Sequence, residues 1–184
     1  SDEDGIISDN FSYSGSQSLH VYGEPAGGPM DVYLPLGLET PHEVSFQLLV
    51  TAGNSAYFNV QEYTYDFAWA FDVVFGSNGF VSVTKDGVDV MMNGPIPYQF
   101  FEWNDVSLLM DPQTNLTEIY INGEILGHFQ FDNIIGGLNL FGYGDGATAG
   151  DYFVDDVVVE QCPQILPYGE GEEEENEEIS GYSS

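Results

Sequence analysis

The chain contains no arginine and a single lysine, Lys85, against 31 aspartates and glutamates in 184 residues, for a formal net charge of −30. One cation cannot build a phosphate-neutralising patch, so nucleic acid is an unsuitable partner, and an anionic membrane surface is disfavoured for the same reason. High salt, calcium or acidic surroundings would relieve the self-repulsion. Cysteine is nearly absent too. Cys162 alone permits no disulfide within the chain, leaving a buried thiol or a link between chains. No apolar run approaches the ~20 residues needed to span a bilayer. The chain begins with serine and carries no signal peptide, so a secreted protein whose signal has been removed is expected.

Catalytic signatures are missing as well. There is no G-x-S-x-G string and no G-x-x-x-x-G-K loop, which removes the sequence marks of a nucleophile elbow and of a phosphate cradle. His20, His42 and His128 are far apart in sequence and read as structural residues rather than general bases. Glu62 with Asp66, and Glu102 with Asp105, are carboxylate pairs, but a chain this acidic supplies such pairs by chance.

What is present is β-pattern. About a dozen segments rich in β-branched and aromatic residues are separated by turn signals at ~8–12-residue spacing, with no amphipathic helix, as in an all-β sandwich or barrel. Asn122-Gly123 between residues 116–121 and 124–131 marks the clearest hairpin. Strands are predicted over residues 98–103 and 106–110, parted by Asn104-Asp105. In AWAFDVVF, residues 68–75, Trp69, Phe71, Val73 and Phe75 fall on one face, so Trp69 reads as core. Residues 1–10 form a polar lead-in, residues 11–163 the domain, and residues 164–184, with the run GEGEEEENEE, an acidic tail or linker.

The last patterned stretch is GDYFVDDVVVE, residues 150–160. Neighbours on a strand point to opposite faces, so either Asp155 or Asp156 faces inward or the strand lies at a solvated edge. An inward carboxylate needs a positive partner. With one lysine in the chain, a bound metal ion is the expected partner.

The order of SGSQSLHVYG, DVYLPLG, AYFNVQE, WAFDVVF, YINGEILG and GDYFVDDVVVE resembles the concanavalin A-like lectin/glucanase superfamily. More narrowly, it is similar to the laminin-G-like domains of secreted bacterial surface proteins. The resemblance implies a two-sheet antiparallel jelly-roll sandwich followed by the acidic tail. It implies Ca2+ held by Asp155 or Asp156 together with backbone carbonyls near Ser14 and Ser16, which suits the six to eight oxygens calcium takes. Glucan-cleaving members carry Glu-x-Asp-x-x-Glu on one strand, and this chain lacks it, so a non-catalytic module is expected and a glycoside hydrolase is the weaker alternative.

Two non-enzymatic roles follow. In lectin-like jelly rolls, aromatic platforms with amides and carboxylates hold sugars. Tyr57, Asn59 and Gln61 share one strand face, and Trp103 lies near a turn, so these four are the candidate glycan contacts. The alternative is a subunit of an extracellular fibre or sheath. Neighbouring copies would join through divalent cations and terminal arms, Tyr168, Ile179 and Tyr182 being the apolar residues such an arm offers to a sheet edge.

Overall fold

Strict alternation of apolar and polar residues turns nearly every predicted segment into a strand, and the strands close over one another as two sheets. The computed structural model describes residues 4–62 and 68–165. Residues 166–184 of the acidic tail, with Tyr168, Ile179 and Tyr182, and Asp66 of the Glu62–Asp66 pair lie outside the described residues. In chain order the strands are β1 (Ile6–Ser8), β2 (Ser18–Tyr22), β3 (Asp31–Pro35), β4 (His42–Val50), β5 (Ala56–Glu62), β6 (Trp69–Phe75) and β7 (Phe80–Lys85). They continue with β8 (Val88–Asp89), β9 (Ile96–Pro97), β10 (Trp103–Asp111), β11 (Leu116–Ile121), β12 (Glu124–Gln130), β13 (Ile135–Phe141) and β14 (Asp151–Gln161).

One sheet runs β1-β2-β14-β4-β10-β11-β12, and the other runs β3-β13-β5-β6-β7-β8 with β9 beside β7. All named strand pairs are antiparallel. This is the expected two-sheet jelly-roll sandwich, and among the described residues no helix is long and apolar enough to cross a membrane. The inner faces supply the core: Val44, Phe46, Leu48, Val106, Leu108 and Tyr152 from the first sheet meet Phe58, Val60, Phe71, Val73, Phe75 and Leu138 from the second. Phe46 meets Phe58 edge-on at 5.4 Å between ring centroids, an arrangement that favours aromatic pairs. Each such fully buried side chain contributes about 2 kcal/mol relative to exposure.

Three local expectations are revised. The polar lead-in contains β1, because Ile6 and Ile7 pair with His20 and Leu19 of β2. Residues 98–103 are not a strand: Phe101 adopts φ 60° in a turn, and Asn104-Asp105 lies inside β10, paired with Leu48 and Gln47. Lys85 closes β7, where its ammonium sits 2.8 Å from Asp132 and donates to the Gln130 carbonyl at 3.0 Å.

The third revision concerns Trp69. Val60 pairs with Phe71, but Gln61 pairs with Trp69, so Ala70 is an extra residue in β6. Such a bulge turns the chain by one position and reverses the facing of what precedes it. Phe71 is fully buried, whereas Trp69 is 52% exposed on the opposite face.

Candidate functional site

The outer face of the second sheet carries the site. Cross-strand partners line up there as a row: Tyr33 opposite Asn139, Asn139 opposite Asn59, Asn59 opposite Asp72. Three inter-strand steps of about 4.8 Å give the row a length of roughly 14 Å. A second row sets Gly137 opposite Gln61 and Gln61 opposite Trp69. Gly137 is required here. A Cβ on it would lie 2.4 Å from the Tyr33 ring, which lies against the glycine. Tyr33, Asn139, Asn59, Gln61 and Trp69 of these rows line a groove of about 1120 Å³, whose walls also include Asp31, Phe141 and Tyr143. A second hollow of about 580 Å³, between Val74, Ser82, Phe80 and Asp145, shares Tyr143 with the first and extends it along the sheet.

Polar side chains on the groove floor hold one another. The Tyr57 hydroxyl donates a short hydrogen bond to Asp72. Asn59 Nδ2 donates to Asn139 Oδ1 at 3.0 Å and to the Tyr57 oxygen at 3.3 Å, and Asn139 Nδ2 donates to Asp31. Burial, reinforced by the bond to Asp72, raises the Tyr57 pKa and keeps the phenol protonated. Burial also raises the Asp72 pKa, against the lowering effect of the Tyr57 bond. Asn59 is 2% exposed, and its Oδ1 has no hydrogen-bond partner, a costly state for a buried acceptor. The aromatic walls flank this floor, with Tyr57 edge-on to Tyr143 at 5.4 Å. Glu62, at the end of β5, accepts from the backbone N–H of Asp132 at 3.0 Å and from Asn133 Nδ2 at 2.5 Å, fixing the corner before β13.

Of the sequence candidates for sugar contact, Tyr57, Asn59 and Gln61 are brought together in this groove. Trp103 is not with them. It belongs to β10 of the other sheet, half-buried, with its ring edge-on to Tyr13 at 6.0 Å. Tyr33, Asn139 and Trp69 join Tyr57, Asn59 and Gln61 in the groove, although Trp69 reads from its alternation as core and the other two carry no local signal for a groove. Alternation in LNLF shows that Asn139 and Leu138 face opposite ways, but no local pattern says that β13 lies between β3 and β5.

Asp155 and Asp156 are placed by a second bulge. Asp155 pairs with Gln47 and Val158 with Ser45, leaving one extra residue in β14. Asp156 takes φ 47°, a left-handed conformation that aspartate tolerates better than most residues. Neither acid enters the core. Asp155 Oδ2 accepts from the backbone N–H groups of Tyr13 at 2.8 Å and Ser14 at 3.2 Å, and Asp155 Oδ1 accepts from Asp156 N at 2.8 Å. The Ser14 hydroxyl donates to Asp156 at 2.6 Å, while Ser16 lies exposed in the same turn. Backbone N–H groups therefore supply the positive partners that the sequence left wanting. Both oxygens of Asp155 face N–H donors, an arrangement that fits loop anchoring better than Ca2+, and no metal-suited cluster of acidic, His or Cys side chains occurs among the described residues.

His20 stacks on Phe153 at 4.2 Å and bonds to Asp151 at 2.7 Å. Thr51 donates to the other Asp151 oxygen at 2.8 Å. Burial raises the Asp151 pKa, and the His20 and Thr51 bonds outweigh it, so the net direction is down.

No protein-family model matches the sequence, and no curated protein matches it. Solved structures do. An alginate lyase of polysaccharide lyase family 7, AlgAT5, superposes with a TM-score of 0.63 at 9% identity, over 86% of this chain and 82% of that one. Cellulose induced protein, Cip1, gives a TM-score of 0.63 at 13% identity, over 88% and 90% of the two chains. A Trypanosoma rangeli sialidase bound to 2,3-difluorosialic acid gives 0.56 at 12% identity. There the match covers 84% of this chain but 27% of the sialidase, so the chain spans about a quarter of that enzyme's length. At 9–13% identity the likeness shows the fold alone, a jelly-roll sandwich shared with these structures and expected from the concanavalin A-like resemblance. The same neighbours correct the expectation of a non-catalytic module. A lyase and sialidases share this architecture, and lack of the Glu-x-Asp-x-x-Glu string excludes only one route to catalysis.

Proposed function

We propose that the groove on the outer face of the second sheet binds a glycan chain, and that the protein works outside the cell on that ligand. The observation that carries this is the pairing of exposed Trp69 and Tyr33 with the buried amides Asn59 and Asn139 on one rigid surface. Flat rings receive the apolar faces of sugar rings while fixed amides read the hydroxyls, the usual composition of a site that must hold a polar ligand in water. Structural neighbours described as an alginate lyase and as a cellulose-induced protein support a polysaccharide rather than a small metabolite.

The test is affinity electrophoresis through a panel of soluble polysaccharides. Trp69→Ala is expected to weaken retardation at least tenfold, corresponding to about 1.4 kcal/mol. Trp103→Ala, on the opposite sheet, should leave it unchanged in protein that still folds. The reverse pattern would move the site to the Tyr13–Trp103 surface.

A second reading is favoured by β14. Beyond Val154 no described strand pairs with it on the side that β2 leaves, and Val157, Val158 and Val159 are 45, 44 and 43% exposed there. An open edge with apolar side chains invites another strand, in keeping with a fibre or sheath subunit. Sedimentation velocity over a hundredfold concentration range should then show growing assemblies, and Val158→Lys should abolish them. A monomer throughout would dismiss this reading.

A further inference from the structure

We infer that the groove selects an uncharged, hydroxyl-presenting glycan and rejects chains that carry carboxylate or sulfate, an inference that rests on the glycan reading above. The argument is one of hydrogen-bond polarity. The donors of the floor network are directed at its own acceptors: Tyr57 O–H at Asp72, Asn59 Nδ2 at Asn139, Asn139 Nδ2 at Asp31. Beyond these bonds the groove retains acceptor capacity. Asn59 Oδ1 is buried without a partner, and the carboxyl group of Asp31 on the groove wall presents acceptor oxygens. Gln61 adds an amide that serves either role.

A sugar hydroxyl meets this groove well, because it can both donate to the Asp31 carboxyl group and accept from the Gln61 amide. A carboxylate or sulfate brings acceptors only and would have to rely on uncharged donors such as Gln61, with the Asp31 carboxyl group beside them. The wider field acts in the same direction. Arginine is absent from the chain, and its single lysine, Lys85, is engaged with Asp132 and the Gln130 carbonyl and is not among the groove-lining residues. Asp4 and Asp31 stand on the groove walls. An anionic ligand entering between like charges, without a cation to receive it, is repelled both in approach and in the bound state. The specificity is therefore built by what the groove withholds as much as by what it offers. The alginate lyase and the sialidase share this fold, but the ligands their names imply are anionic and call for chemistry this groove does not contain.

Matched polymer pairs test the inference. Alginate and polygalacturonate are compared with their carboxyl-reduced, neutral counterparts, alongside neutral β-glucan, mannan and xylan. Binding is measured by affinity electrophoresis and calorimetry with EDTA present, at low and at high sodium chloride. At least one neutral polymer is expected to bind at least tenfold tighter than any anionic one at low salt, with an affinity that changes less than about twofold on adding salt, since uncharged ligands feel little screening. That binding should be lost in Trp69→Ala, which ties it to this groove. An anionic polymer bound as tightly as its neutral partner at low salt would overturn the inference while leaving the glycan reading standing. Failure of every polymer to bind would overturn the glycan reading and the inference with it.

Discussion

Replacing Tyr152 with alanine is expected to cost about 4 kcal/mol of folding stability and to lower Tm by roughly 8–16 °C. Tyr152 is the largest fully buried side chain of the core. It rises from β14, between β2 and β4 in the first sheet, and its hydroxyl reaches the other sheet, donating to the Tyr57 carbonyl at 2.9 Å and the Phe141 carbonyl at 3.2 Å. Burial, with Tyr57 and Asp31 as lesser contributors, holds its pKa well above the ordinary tyrosine value, so the donor is present at any working pH. Alanine removes a ring's worth of packing and leaves a cavity beneath the two strands that carry Tyr57 and Asn139. Tyr152→Phe isolates the hydroxyl and should cost about 1 kcal/mol. Urea unfolding of the three proteins checks this. An alanine variant within 1.5 kcal/mol of the parent would mean that the sheets close over the gap.

The second large effect is at Asp145. Its carboxylate accepts from Ser77 N at 2.9 Å, Ser77 Oγ at 2.5 Å, Ala147 N at 3.0 Å, Thr148 N at 2.9 Å and Thr148 Oγ1 at 3.1 Å. It thereby ties the loop before β14 to the turn between β6 and β7, on the wall of the second hollow. Asp145→Ala leaves these donors without their acceptor, and a loss of about 3 kcal/mol is expected. The pH dependence has a defined sign. Desolvation would raise the Asp145 pKa, but the bonds from Ser77, Thr148 and Ala147 outweigh it and hold it well below the ordinary carboxylate range. A depressed folded-state value means that the stabilisation is complete above the unfolded value of about 3.9 and is lost as pH falls from there through the folded value. Acid also relieves repulsion in a chain of net charge −30, so the parent alone would mislead. The stability gap between parent and Asp145→Asn, followed from pH 7 downward, should stay level to about pH 4.5 and narrow below it. A gap that widens in acid would contradict the assignment.

Most of the sandwich was legible because jelly-roll strands write their facing into the sequence. EVSFQL and AYFNVQ alternate, and NG between two such runs fixes the β11–β12 hairpin. The site was legible only as far as one strand reaches. Tyr57, Asn59 and Gln61 share a face by period alone, but Asn139 and Tyr33 come from segments far away in the chain, and their adjacency is decided by sheet order. The exposure of Trp69 is hidden from the sequence for a different reason. Alternation assumes an unbroken register, and the extra residue at Ala70 breaks it without a glycine or proline to announce the break. Asp155 and Asp156 show the same blindness: a second bulge resolves the awkward pair of acids, and the positive partners come from backbone N–H groups, which composition does not count.

The engagement of Lys85 with Asp132 bears on how this chain survives digestion. A protease that cuts after lysine or arginine finds one susceptible bond in all 184 residues, between Lys85 and Asp86. That bond opens a tight turn in which Asp86 and Gly87 adopt φ 52° and 72°, and the ammonium such an enzyme must draw into its own specificity pocket is held at 2.8 Å by a carboxylate. To trypsin-like enzymes the protein therefore presents a single guarded scissile bond, a resistance that owes more to which side chains are missing than to the strength of the fold.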